Sequence, residues 1–170
     1  MKVEVVGYDP DWPLRFEQEK RLLVKRLGAV AKAVHHIGST SVEGLAAKPI
    51  IDIILEVTSL DALDATKHEL EALGYEGMGE FGIVGRRYFR KGKEERTHQI
   101  HAFAVGDENI ARHLAFRDYL KAHPAAKAEY EALKCRLAKN CNNDIEAYCD
   151  GKDSFVKLHE ANALKWKADS

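Results

Sequence analysis

No apolar run in this chain approaches the roughly 18–20 residues needed to cross a bilayer, and residues 1–12 lack the apolar core of a secretory leader. A membrane association is therefore not expected. Net charge is also missing: 26 basic and 27 acidic residues nearly cancel. Without a global field of one sign, bulk attraction to DNA, RNA or an anionic surface is not expected, and only a local patch stays open. Cysteine is scarce. Cys135, Cys141 and Cys149 cannot all pair, and their spacing matches no zinc module. Free thiols point to a reduced, cytoplasmic setting. Repeats, low-complexity tracts and Pro/Gly/Ser-rich linkers are absent as well, so residues 1–170 are expected to form one domain. What is present is an ordinary globular balance, 45% apolar and 31% charged over 170 residues, long enough to bury a core without staples. Eight histidines are the mildly unusual count.

Residues up to about 105 alternate between strands and helices, and residues from about 106 onward read as helices alone. Val3–Val6 is short and β-branched. Asp11 can cap a helix whose stripe is Trp12, Phe16, Leu22, Leu23 and Leu27, ending at Gly28. Val34–Ile37 reads as a strand broken by Gly38, and Ile50–Val57 as a central strand, apolar on both faces. Thr58 or Ser59 caps the next helix, which ends before Gly74. Glycines between 77 and 92 predict a mobile loop, then a hairpin with strands Arg87–Lys91 and Thr97–Val105 that turns at 92–95. Helices are expected from Asn109 to Ala122, from Pro124 to about Lys139, and near Ser154–Lys167. The fold class is α+β, a mixed β-sheet with flanking helices and a helical C-terminal part.

The chemistry concentrates between His36 and Asp52. A strand ends in Gly38-Ser39, a short helix is expected near Ser41, and the chain returns through a strand bearing one acid. Gly38 lets the backbone approach a ligand, and N–H groups with the Ser39, Thr40 and Ser41 hydroxyls suit phosphate oxygens. Asp52 lies among Ile50, Ile51, Ile53, Ile54 and Leu55, where an ionised carboxylate is expensive unless paired or metal-bound. Taken separately, a capped turn and a salt-bridged core acid are ordinary features. Together they favour a site.

Gly38-Ser39 followed by Asp52 in a hydrophobic strand resembles the signature of the DNA polymerase beta-like nucleotidyltransferase superfamily. The longer run from His36 to Ile53 resembles the GrpB family. So do Tyr8–Pro13, Thr97–His101, His113–Leu120 and Gly151–Phe155, so the likeness covers nearly the whole chain. The superfamily implies a nucleotidyltransferase-like sheet. It also implies a serine on the nucleotide's terminal phosphates, and two carboxylates two residues apart that hold Mg²⁺ with a third from a neighbouring strand. This chain departs from that pattern. Ile54 stands at the second position, and Glu56 is roughly 13 Å along the strand from Asp52.

The third carboxylate is replaced by His98-Gln99-Ile100-His101. Imidazoles suit Zn²⁺ or Mn²⁺ better than Mg²⁺. Alternation puts Gln99 and His101 on one face, so His101 is favoured as partner to Asp52, with His98 in reserve. His36 is a further candidate for the crevice, whereas His35, His68, His123 and His159 read as surface residues. The 86–96 segment is basic. Alternation groups Arg87 with Phe89 and Arg86 with Tyr88 and Arg90, so Arg87 or Arg90 is a phosphate candidate, as is Lys48. Arg117, Asp118, Tyr130 and Lys134 are ambiguous between packing and ligand contact, and Lys152 reads as a helix-start residue.

The expected catalytic pair is therefore Asp52 and His101. Gly38, Ser39, Thr40, Ser41, Lys48 and Arg87 are expected on phosphate, and Asp52, His101 and His98 on a divalent metal (Mg, Mn or Zn). The partner is a nucleotide or another phosphorylated small molecule, and a homo-oligomer is compatible. The functional expectation is metal-dependent nucleotidyl or phosphoryl transfer to an unknown acceptor. The alternatives are an inactive nucleotide- or coenzyme-binding module and a metal-dependent hydrolase.

Overall fold

In the computed structural model, which describes residues 3–92 and 94–169, the strands are β1 (Ala31–Ile37), β2 (Ile51–Val57), β3 (Tyr75–Gly77), β4 (Arg86–Lys91) and β5 (His98–Ala104). They form one mixed sheet in the order β1-β2-β5-β4-β3. The β2–β5 pair is parallel, and the other neighbours are antiparallel. Helices α1 (Asp11–Leu27) and α2 (Leu60–Ala72) precede the hairpin, and α3 (Glu108–Ala122), α4 (Pro124–Asn140) and α5 (Ile145–Ala168) follow the sheet. No helix among the described residues is long and apolar enough to cross a membrane.

Strand alternation splits β2 between two environments. Ile51, Ile53, Leu55 and Val57 join Trp12, Phe16 and Leu23 of α1 and Leu63 and Leu70 of α2 in the main core. Each such side chain contributes roughly 1.5–3 kcal/mol by leaving water. Asp52, Ile54 and Glu56 face the other way, where Ile54 packs with Ile37, Phe103 and Ile110. Leu22, expected in the α1 stripe, is 40% exposed. Glu19 is buried in its stead, because the Tyr75 hydroxyl and the Lys91 ammonium both donate to its Oε1 at 2.8 Å.

Several boundaries differ from expectation. Val3–Val6 makes only one bridge, Val6 to Ala47, so it is no strand of the sheet. Asp11 is the first helical residue rather than the cap, and its amide donates to Asp9 Oδ1 at 2.9 Å. Ser59 caps α2 by accepting from the Ala62 amide. Strand β3 was not expected; it comes just before the glycine-rich segment read as loop and shares only Gly77 with it, and the expected hairpin turn includes Lys93, which lies outside the described residues. Helix α5 begins at Ile145, nine residues before the expected Ser154, with Asp144 accepting from the Glu146 and Ala147 amides. Gly151 and Lys152 are thus inside a helix. The glycine makes room for α4, since a Cβ there would lie 2.4 Å from a Leu137 methyl.

Candidate functional site

Gly38 leaves β1 at φ +71°, a conformation that favours glycine. A side chain there would also press within 3.0 Å of the Asp52 Cβ and Oδ2 atoms. Glycine is thus required twice over: for the turn, and for the close approach of this backbone to β2. One 3-10 turn, Ser39–Ser41, follows. Thr40 is buried, its hydroxyl donating to the Ile50 carbonyl at 3.1 Å and bonded to His36 Nε2 at 2.9 Å. Ser41 donates to the Gly38 carbonyl and faces a separate cleft that it shares with His36 and Arg117. His36 stacks on Phe16 with ring centroids 4.8 Å apart. Burial lowers its pKa to about 4. Ser39 is the hydroxyl of this turn left to the main cavity, where it hydrogen-bonds Tyr130.

Asp52 and His101 are brought together. Parallel pairing sets Asp52 opposite Gln99 and Ile54 opposite His101, and the imidazole leans back so that Nε2 lies 2.7 Å from Asp52 Oδ1. The other ring nitrogen, Nδ1, lies 3.2 Å from Nη1 of Arg86. A guanidinium only donates, so Nδ1 accepts and the proton of a neutral ring sits on Nε2, directed at Asp52. Burial would raise the Asp52 pKa, but the pairing with His101 outweighs it and holds the carboxyl below the usual carboxylate range. His113 of α3 lies 6.0 Å from the His101 ring, its own pKa lowered to about 4 mainly by burial. Arg86, 7% exposed, also donates to the Glu80 and Phe81 carbonyls.

Other expected residues lie elsewhere. His98 is on the opposite sheet face, 3.7 Å from Glu19, so it does not join Asp52 and His101. Arg87 is on that same far face and clasps Asp64 of α2 at 2.9 and 3.1 Å. Alternation grouped the arginines correctly, but it is the Arg86 face that meets Asp52. His35, His123 and His159, read as surface, are half-buried: His35 against Glu56, and the other two against Tyr119 and Phe155. The donor set does not fit the metal pair implied by the superfamily. Ile54 is fully buried in an apolar cluster, and the His101 lone pair is taken by Arg86. Among the described residues no group of three or more His, Cys, Asp or Glu side chains is placed to hold a metal ion.

Above Asp52 opens a cavity of about 540 Å³, closed on the far side by α4 and α5. Asp52 is the one acid among its described lining residues, against Lys48, Lys134, Lys152 and Arg96, while Arg90 also lines it but is paired with Glu76 at 3.0 Å. The lysines are held by neutral groups. Lys134, 1% exposed, donates to the Ala46 carbonyl and lies 4.7 Å over the Tyr130 ring. Lys48 and Lys152 lie 5.1 and 4.6 Å from the Tyr148 ring centre. Burial, and then the repulsion of Lys152, lower Lys48 to about 8 and Lys134 to about 7; burial lowers Lys152 as well. The Lys134 signal was present as the Tyr130–Lys134 spacing. Lys152 and Tyr148 were missed because the start of α5 was misplaced.

The GrpB protein family matches residues 2–162. The UPF0157 protein YqkA of Bacillus subtilis is 46% identical over 166 residues; the match covers 98% of this chain and 48% of YqkA, so the chain spans about half that relative. The crystal structure of conserved protein GrpB from Enterococcus faecalis superposes with a TM-score of 0.93 at 45% identity, covering 96% of this chain and 99% of that one. The Cid1 poly(U) polymerase, solved with MgGTP bound, superposes with a TM-score of 0.54 at 20% identity over 76% of this chain and 43% of its own, a likeness of fold. The chain belongs to the GrpB family, on a nucleotidyltransferase-like fold.

Proposed function

We propose that the cavity binds a nucleotide or another phosphorylated small molecule, with its phosphates between the Gly38-Ser39 turn and the ammoniums of Lys48, Lys134 and Lys152. The observation that carries this reading is the charge imbalance of the lining, several cations around a single acid that His101 already engages. Ammoniums crowded in a partly dry cavity repel one another, and a polyanion relieves that repulsion while supplying charge-assisted hydrogen bonds. Gly38 lets the turn lie directly against Asp52 at the cavity wall, and Lys48 lies over the Tyr148 ring on the same lining.

The test is calorimetric titration with inorganic tripolyphosphate at pH 7. Binding is expected in the native protein, and Lys48→Ala or Lys152→Ala should weaken it about tenfold or more, the size of a charge-assisted hydrogen bond. Ser39→Ala should weaken it less. Because burial, and then the repulsion of Lys152, bring Lys48 down to about 8 and Lys134 to about 7, bound phosphate should raise both and take up protons. Affinity should therefore fall as pH rises from 7 to 9. Unchanged affinity in both lysine variants would remove the reading.

Metal-dependent nucleotidyl or phosphoryl transfer, or hydrolysis, is the second reading. It is favoured by the 27% of the Asp52 side chain that stays accessible beside Gly38. Release of pyrophosphate or phosphate from nucleoside triphosphates with Mn²⁺, abolished in Asp52→Asn, would establish it. Binding without release would favour the binding module.

A further inference from the structure

The loop between β3 and β4 holds a feature that phosphate binding does not use. Gly79, Gly82 and Gly85 have φ values of +62°, +90° and +83°, and Phe81 among them has φ +47°. A bulky aromatic residue rarely adopts positive φ, and such strain persists where the surroundings impose it. Here Arg86 imposes it, with Nη2 donating to the Phe81 carbonyl at 2.7 Å and Nε to the Glu80 carbonyl at 3.1 Å. The conformation does not bury the ring. Phe81 is 56% exposed and lines the cavity. It is backed by Tyr88, itself buried, with ring centroids 5.2 Å apart and planes within 22°. Tyr88 in turn lies 5.4 Å from the His101 ring and 5.0 Å from the Arg86 guanidinium carbon. An aromatic wall thus runs from the relay at Asp52 to an open ring at the rim.

We propose that Phe81 is the stacking platform for the planar ring of the ligand, so that the cavity takes a nucleoside phosphate rather than a bare phosphate ester. The inference rests on the phosphate-binding reading of the same cavity, and adds the group at the ligand's other end. A flat, rigidly backed ring with one face open loses little freedom on stacking, and every nucleobase offers a π-face. Arg86 is the positioning residue, because the same guanidinium that orients His101 fixes the backbone of Phe81.

The test compares ATP with inorganic tripolyphosphate on the native protein, Phe81→Ala, Phe81→Leu and Phe81→Trp. Base stacking predicts that ATP binds the native protein about tenfold more tightly than tripolyphosphate. Phe81→Ala and Phe81→Leu should abolish that advantage while leaving tripolyphosphate affinity unchanged. Leucine keeps apolar bulk without a ring, so it separates stacking from simple contact. Phe81→Trp should keep the advantage, and its indole fluorescence should be quenched by ATP but not by tripolyphosphate. If tripolyphosphate binds and ATP binds no better, or if the advantage survives in Phe81→Leu, Phe81 is no platform and the phosphate reading stands. If tripolyphosphate does not bind, both fall together.

Discussion

At Asp52, burial and pairing pull in opposite directions, and pairing wins because His101 supplies a hydrogen bond at 2.7 Å. His101 is in turn held by Arg86, a residue bonded to the ring and to two backbone carbonyls. A lysine cannot reproduce that fork, since its ammonium is a point donor on a flexible stem. Arg86→Lys should therefore cost about 1–3 kcal/mol of stability by leaving buried acceptors unmet. Urea denaturation measures this, and a midpoint within error of the native protein would refute the relay. The partnership of Asp52 with His101 was legible in the sequence, because an acid in an apolar strand demands a partner and alternation singled out His101. The choice between Arg86 and Arg87 was not. Alternation says which residues share a face, but only the order β2-β5-β4 decides which face looks toward Asp52.

Among the elements, the connection from β1 to β2 carries the site and the C-terminal helices complete it. The connection was readable, because Gly38, the hydroxyls and the apolar strand lie in one continuous stretch. Gly38→Ala should cost about 1–3 kcal/mol from the φ of +71° alone. It should also weaken tripolyphosphate binding, because the new methyl group would push against Asp52. Native-like stability and affinity in this variant would show that the close approach is dispensable. The start of α5 was not readable, since Gly151 looks like a terminus in sequence. In the fold it is a contact point where Leu137 of α4 fills the missing side chain's place. That displacement concealed Tyr148 and Lys152, and with them half of the lysine cluster's surroundings. Strand β3 was missed for a simpler reason: three residues ending in glycine give too short a pattern.

Across the whole molecule, the near-zero net charge averages over a strongly uneven distribution, with cations gathered at one cavity and ion pairs such as Arg26–Glu69, Arg87–Asp64 and Lys157–Asp153 elsewhere. Acid should expose another unevenness. His36 and His113 are lowered from 6.5 to about 4 by burial, so the unfolded chain binds more protons than the folded one between those values. Stability should fall as pH drops from about 6.5 to 4, by at most about 3 kcal/mol per histidine. Denaturation midpoints at pH 7, 5.5 and 4.5 measure the slope, and His113→Gln should flatten it. A slope that begins only below pH 4 would assign the acid sensitivity to carboxylates instead. The central claim, that the cavity over Asp52 is a nucleotide site, is tested most directly by a crystal structure of this protein soaked with ATP. The expected density has phosphates between Gly38-Ser39 and Lys48, Lys134 and Lys152, with the adenine ring on Phe81. Density for ATP at the cleft of Ser41 and Arg117, or an empty cavity at saturating ATP, would contradict it.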